Sequence, residues 1–160
     1  LQAGQGNGDP EPAELKENQG FGEEQKINFY HGLIKFNLRN PRQIKRLYNS
    51  YNLLWSVYEE EFKADDSGWI PNMLALLVLE MINEHAPFDK GIDIRDQYRR
   101  AIFISSDVEI LQPIENVKQS DIDEAHNSIM AYQRDNKIDL LTRLEPFVLP
   151  AIRQEVSDKK

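Results

Sequence analysis

The residue types best suited to chemistry crowd into one stretch. Between Gln25 and Tyr58 the chain has no acid and six cations: Lys26, Lys35, Arg39, Arg42, Lys45 and Arg46. Those 34 residues carry +6 while the whole chain carries −8, so the other 126 carry −14. Arg42 follows Asn40-Pro41, in which Asn40 is a good N-cap and Pro41 suits the first helical position. Gln43 completes an Asn-x-x-Gln variant of the capping box. An arginine in a helix's first turn lies beside N–H groups without intrahelical partners, where an anion is favoured. Arg42, Lys45, Arg46 and Asn49 fall opposite the apolar stripe of the same helix. Arg42, Lys45 and Arg46 are therefore the candidate anion-binding residues, as a phosphate sensor or as a docking surface for an acidic partner. The same cations could instead form a solvated face paired with the abundant Asp and Glu.

Other chemistry finds little support. With no cysteine, disulfides, cysteine zinc sites, iron–sulfur clusters and thiol nucleophiles are excluded. His31, His85 and His126 include no pair four residues apart, so no helical zinc pair exists. Glu80 and Glu84 share a helix face with His85 at its end, which reads as a helix-end histidine rather than a ligand set. Asp89, Asp93 and Asp96 have the wrong spacing for a calcium loop. Asp121, Asp123 and Glu124 suit a helix N-terminus, and Ser105 and Ser106 lack a nearby base. No catalytic residue and no metal ligand is nominated. Tyr48, Tyr51, Trp55 and Tyr58 lie opposite the cations, so they read as core and not as a base-stacking platform. An acidic chain is also a poor general nucleic-acid binder.

The elements that must position Arg42 read as all-α: a bundle of five to seven helices behind a flexible N-terminal tail. Residues 1–22 hold five of the eight glycines plus Pro10 and Pro12, and read as a linker. The helical domain spans 23–156, and 157–160 form a C-terminal tail. A first helix is expected over Glu23–Leu38, with Ile27, Tyr30, Leu33, Ile34 and Leu38 inward. A second starts at Pro41 and buries Ile44, Leu47, Tyr48, Tyr51, Leu54, Trp55 and Tyr58. Glu59–Glu61 and Asp65–Gly68 end it in an exposed turn. A third, Pro71 to about Glu84, is apolar nearly all round and hence central. A fourth covers about 92–104, although 101–111 could form a short hairpin. Ser120 caps a fifth through Arg134, with Ile122, Ala125, Ile129 and Tyr132 inward. A sixth runs from Lys137 to about Gln154, kinked at Pro146 and Pro150. The longest apolar run, Met73–Ile82, is about half a membrane span. No signal peptide is evident, and a cytoplasmic setting is expected.

Asn40-Pro41-Arg42-Gln43-Ile44-Lys45-Arg46-Leu47-Tyr48-Asn49, followed by its aromatic–aliphatic stripe, resembles the segment after the nucleotide-binding core of KAP-type P-loop NTPases. The resemblance covers about ten residues well and the following helices in general character. It implies a helical lid in which Arg42 is a sensor-2 arginine reaching the nucleotide's terminal phosphate. Arg46 and Asn49 match less distinctive positions. The departures are equally plain: no Gly-x-x-x-x-Gly-Lys-Ser/Thr occurs, and no apolar strand ends in paired acids. The resemblance therefore implies a non-catalytic C-terminal part that does not hydrolyse ATP alone. Its partner would be an N-terminal P-loop domain of the same polypeptide, which would supply the ATP and Mg²⁺ site. The runner-up is a free-standing interaction domain whose basic face binds an acidic protein.

Overall fold

Gly32 sets how closely the first helix approaches the core. A Cβ placed on it would lie 2.3 Å from Leu77 Cδ1 in the central helix, so the Leu77 side chain packs directly on the first helix's backbone, in space that any larger residue would fill. The computed structural model describes residues 22–64, 68–86, 94–106 and 112–148. Seven α-helices follow one another among them: α1 (Glu23–Lys35), α2 (Pro41–Val57), α3 (Glu59–Ala64), α4 (Trp69–His85), α5 (Ile94–Phe103), α6 (Gln119–Asn136) and α7 (Leu140–Leu144). A 3₁₀ turn at Glu145–Phe147 ends the described chain. No strand occurs among the described residues, and no helix of the described residues is long and apolar enough to cross a membrane.

α4 is the hub. It is buried almost throughout, including Leu76, Leu77, Val78 and Ile82, and α1, α5, α6 and α7 pack around it. α2 joins it through side chains. The Tyr51 hydroxyl donates to the Met73 carbonyl at 2.6 Å, and Tyr51 and Trp55 meet Trp69 edge-on. Phe62 of α3 completes this aromatic wall against Trp69 at 5.2 Å. Leu47, Tyr51 and Leu54 are buried, while Ile44, Tyr48, Trp55 and Tyr58 are half-buried against the same core. The second helix thus turns its expected stripe inward.

α1 turns the other way. Phe29, Gly32 and Leu33 are its buried residues, joined by Phe36 and Leu38 just beyond it. Ile27, Tyr30 and Ile34 face solvent, contrary to the periodicity expectation. Phe29 carries that choice: its ring meets Tyr51 at 5.0 Å and Tyr48 at 5.8 Å. α1 also ends earlier than expected. Asn37 adopts φ 56, and the N–H groups of Asn37 and Leu38 return to the carbonyls of Ile34 and Leu33. These two bonds close a Schellman turn.

Three further boundaries move. Glu59–Ala64 is a short helix, not a turn. α6 begins at Gln119 with Lys118 at the N-cap and no side-chain cap, so Ser120 does not cap it. Lys137 does not start a helix. At φ 56 it ends α6, with the Ile138 N–H returning to the Gln133 carbonyl. Ala101–Phe103 are helical. Asp65–Ser67, Asp89, Asp93, Val108–Leu111, Pro150 and both tails lie outside the described residues.

Candidate functional site

The start of α2 is built as a cap with its charges outside. Asn40 is extended, and its Oδ1 accepts the Arg42 N–H at 3.0 Å. Pro41 has no N–H to offer. The cap and the proline thus use up part of the free N–H array that makes a helix start attractive to anions. Contact with an anion falls mainly on side chains here. Gln43 departs from the capping-box expectation. It is buried, and its Nε2 donates to Glu80 Oε1 at 3.0 Å.

Arg42, Lys45 and Arg46 are all exposed on the opposite side of α2. They are not equivalent. Arg46 Nη2 lies 3.9 Å from Glu80 Oε1, joining a carboxylate only 3% exposed. Arg42 and Lys45 have no ion pair or side-chain hydrogen bond among the described residues. Of the remaining cations, Lys35 Nζ stands 3.7 Å from Glu124 Oε1, and Arg39 is exposed. The structure therefore divides the trio into two open cations and one tethered to the core.

A second polar cluster joins α3, α4, α6 and α7. Arg143 donates from Nη1 to Glu61 Oε2 at 3.0 Å and from Nη2 to Glu61 Oε1 at 3.1 Å. Nη1 also reaches Asn72 Oδ1 at 3.2 Å, and the guanidinium sits 4.0 Å over the Tyr58 ring. The Tyr132 hydroxyl donates to Glu61 as well. Burial raises the Glu61 carboxyl, but the hydrogen bonds from Arg143 and Tyr132 and the Arg143 charge outweigh it, leaving it below its ordinary value. Tyr132 is raised, first by burial and then by Glu61. Both Glu61 oxygens, both polar ends of Asn72 and the Tyr132 hydroxyl are engaged within the protein, which is the character of a staple rather than an open site.

The other candidates separate. Glu80 is buried whereas Glu84 is exposed, so the two do not share a surface. His85 donates from Nε2 to the Asn37 carbonyl at 2.6 Å, tying the α1 turn to the end of α4. His126 is buried and bonds through Nδ1 to the Ile102 carbonyl at 2.9 Å. A cleft of about 160 Å³ opens between α1, α4 and α6, with His31, Lys35, Asp121 and Glu124 at its rim. It is smaller than the few hundred Å³ of a typical small-molecule site. Among the described residues no three of His, Asp or Glu are grouped to hold a metal. Comparison with protein families, with characterised proteins and with solved structures returns no match.

Glu80, Glu61 and Arg143 were not singled out from the sequence as partners. Arg143 and Glu61 are 82 positions apart, and an acid inside an apolar run is the sole local sign that Glu80 must find a donor.

Proposed function

We propose that this chain is the helical lid of a KAP-like P-loop NTPase. In this reading Arg42 reaches the terminal phosphate of a nucleotide held by the rest of that protein. One observation carries the reading. Among the described residues no carboxylate pairs with the Arg42 guanidinium, which stands open at the head of a 17-residue helix in an acidic chain. A planar fork of donors suits a phosphate edge. Lys45 stands nearby as a second open cation, and Arg46 links the same face to Glu80 at 3.9 Å. A phosphate bound at this face would therefore be felt by α4 through Arg46.

The chain supplies an arginine to a site completed elsewhere and performs no hydrolysis by itself. ATP and Mg²⁺ belong, in this reading, to the phosphate-cradling domain of the same polypeptide, in the cytoplasm. Titration of the chain with pyrophosphate at low ionic strength tests the anion contact. Arg42→Ala should weaken binding at least fivefold, and the difference should shrink as salt rises. Equal binding by Arg42→Ala, or robust ATP turnover by the isolated chain, would sink the lid reading.

A further inference from the structure

The cleft between α1, α4 and α6 has a floor and a rim of opposite character. Its floor is apolar: Phe36, Met73 and Ala125 are buried there, with Ile70 and Leu74 half-buried beside them. Its rim carries charges of both signs. His31 and Lys35 stand one turn apart on α1, and Asp121 and Glu124 stand one turn apart on α6.

The protein satisfies this rim only in part. Lys35 Nζ lies 3.7 Å from Glu124 Oε1, with the side chains 43% and 68% exposed. An ion pair so open to water contributes little. Asn28, His31 and Asp121 make no side-chain hydrogen bond or ion pair among the described residues. The contact from Lys35 to Glu124 joins α1 to α6, so opposite charges on the two sides lie within reach of one small ligand. The space of about 160 Å³ is close to the ~150 Å³ of an apolar cavity that takes up benzene. It has room for one branched or aromatic side chain and none for a nucleotide.

We propose that this cleft binds a free apolar α-amino acid of about the size of leucine. Its side chain would cover Met73, Leu74 and Ala125, its carboxylate would take Lys35, and its ammonium would take Asp121 and Glu124. An α-amino acid carries its two charges on either side of one carbon. It therefore inserts into the Lys35–Glu124 pair and replaces one solvated contact with two charge-assisted ones. His31 and Asn28 add polar atoms at the mouth. An aliphatic amine leaves Lys35 without an anion. An aliphatic carboxylate sets its charge beside Asp121 and Glu124, and glycine leaves the floor uncovered. No residue of α2 lines the cleft, so the inference stands apart from phosphate sensing by Arg42.

The test is a titration of isotope-labelled chain with leucine, followed by amide shifts. So small a ligand should bind at about 1 mM. Shifts should map to residues 28–36, 70–74 and 121–125. Leucine should bind at least tenfold more tightly than glycine, isoamylamine or isocaproate, each of which lacks one of its three groups. Lys35→Ala and Asp121→Asn should each weaken binding at least fivefold. Lys35 is exposed and Asn keeps the shape of Asp, so both variants should keep their melting temperature. Absence of shifts up to about 10 mM leucine would overturn the proposal. So would equal binding of isoamylamine or isocaproate, or leucine binding that survives both substitutions unchanged.

Discussion

Arg143 grips both carboxylate oxygens of Glu61, at 3.0 and 3.1 Å, across 82 residues of sequence. The contact fastens the short α3 helix to the far end of the described chain, and the Tyr58 ring covers the guanidinium from one side. Arg143 is 11% exposed and Glu61 35%, so the pair is neither deeply buried nor a loose surface bridge. Arg143→Ala removes charged hydrogen bonds and leaves Glu61 with Tyr132 alone, and should cost about 2–4 kcal/mol in denaturant unfolding.

The same pair sets an acid limb to stability. The folded Glu61 carboxyl is held below its ordinary value. It therefore contributes stability that is complete above the ordinary glutamate range. That contribution is lost as pH falls through the depressed folded value. Unfolding midpoints measured from pH 6 down to pH 2 should show this limb, and Glu61→Gln should flatten it. An unchanged acid profile in Glu61→Gln would count against the pair as its source.

Tyr51 sets a limb at the alkaline end. Burial first, and the nearby Glu80 charge second, push its hydroxyl well above the ordinary tyrosine value. The folded state holds that proton more tightly than the unfolded chain. Stability is thus complete below pH ~10 and declines as pH rises beyond it. Tyr51→Phe should cost about 1 kcal/mol at neutral pH by loss of the bond to Met73. It should also shrink the decline between about pH 10 and 11.5, read by far-ultraviolet circular dichroism.

Core packing at the α2–α4 contact is the third determinant. Leu54 is fully buried beside Tyr51 and the aromatic wall. Leu54→Ala should cost ~2–5 kcal/mol, a large share of a single domain's stability. A loss below ~1 kcal/mol in thermal or denaturant unfolding would show that this face of α2 is not closed by packing.

Legibility followed the strength of local pattern. α2 and α4 were readable because their apolar positions outnumber any competing face; Asn40-Pro41 marks the start of α2, whereas α4 begins at Trp69, two residues before the expected Pro71. α1 misled because it has two apolar faces. Hydropathy ranks Ile27 and Ile34 as highly as Phe29 and Leu33. The decisive residue, Gly32, has no hydropathy to count, yet it permits the close approach to Leu77. Gln43 misled for another reason. Its capping-box spacing is a local cue, and the buried Glu80 37 positions away outcompetes it. The candidate site was legible in its exposure, because cations opposite a strong apolar stripe must face water. The tether of Arg46 to Glu80 was not, since it depends on how α2 is seated on α4.

That tether yields the last prediction, which separates two arginines one helical turn apart. Arg42 touches no carboxylate among the described residues, so Arg42→Ala should change stability by no more than about 0.5 kcal/mol. Arg46 stands beside a carboxylate that is 3% exposed. Its removal leaves Glu80 in a desolvated place with less positive charge to offset it, and Gln43 supplies only a neutral donor at 3.0 Å. Arg46→Ala should therefore cost about 1–2 kcal/mol, reduced from the figure for a closed buried pair because Arg46 itself is 44% exposed. Glu80→Gln removes the charge that needs a cation, so Arg46→Ala made in that background should cost much less. A double-mutant cycle on urea unfolding measures the difference. Equal costs for Arg46→Ala with and without Glu80 would mean that the 3.9 Å approach contributes nothing. Arg46 would then belong with Arg42 and Lys45 as a third open cation.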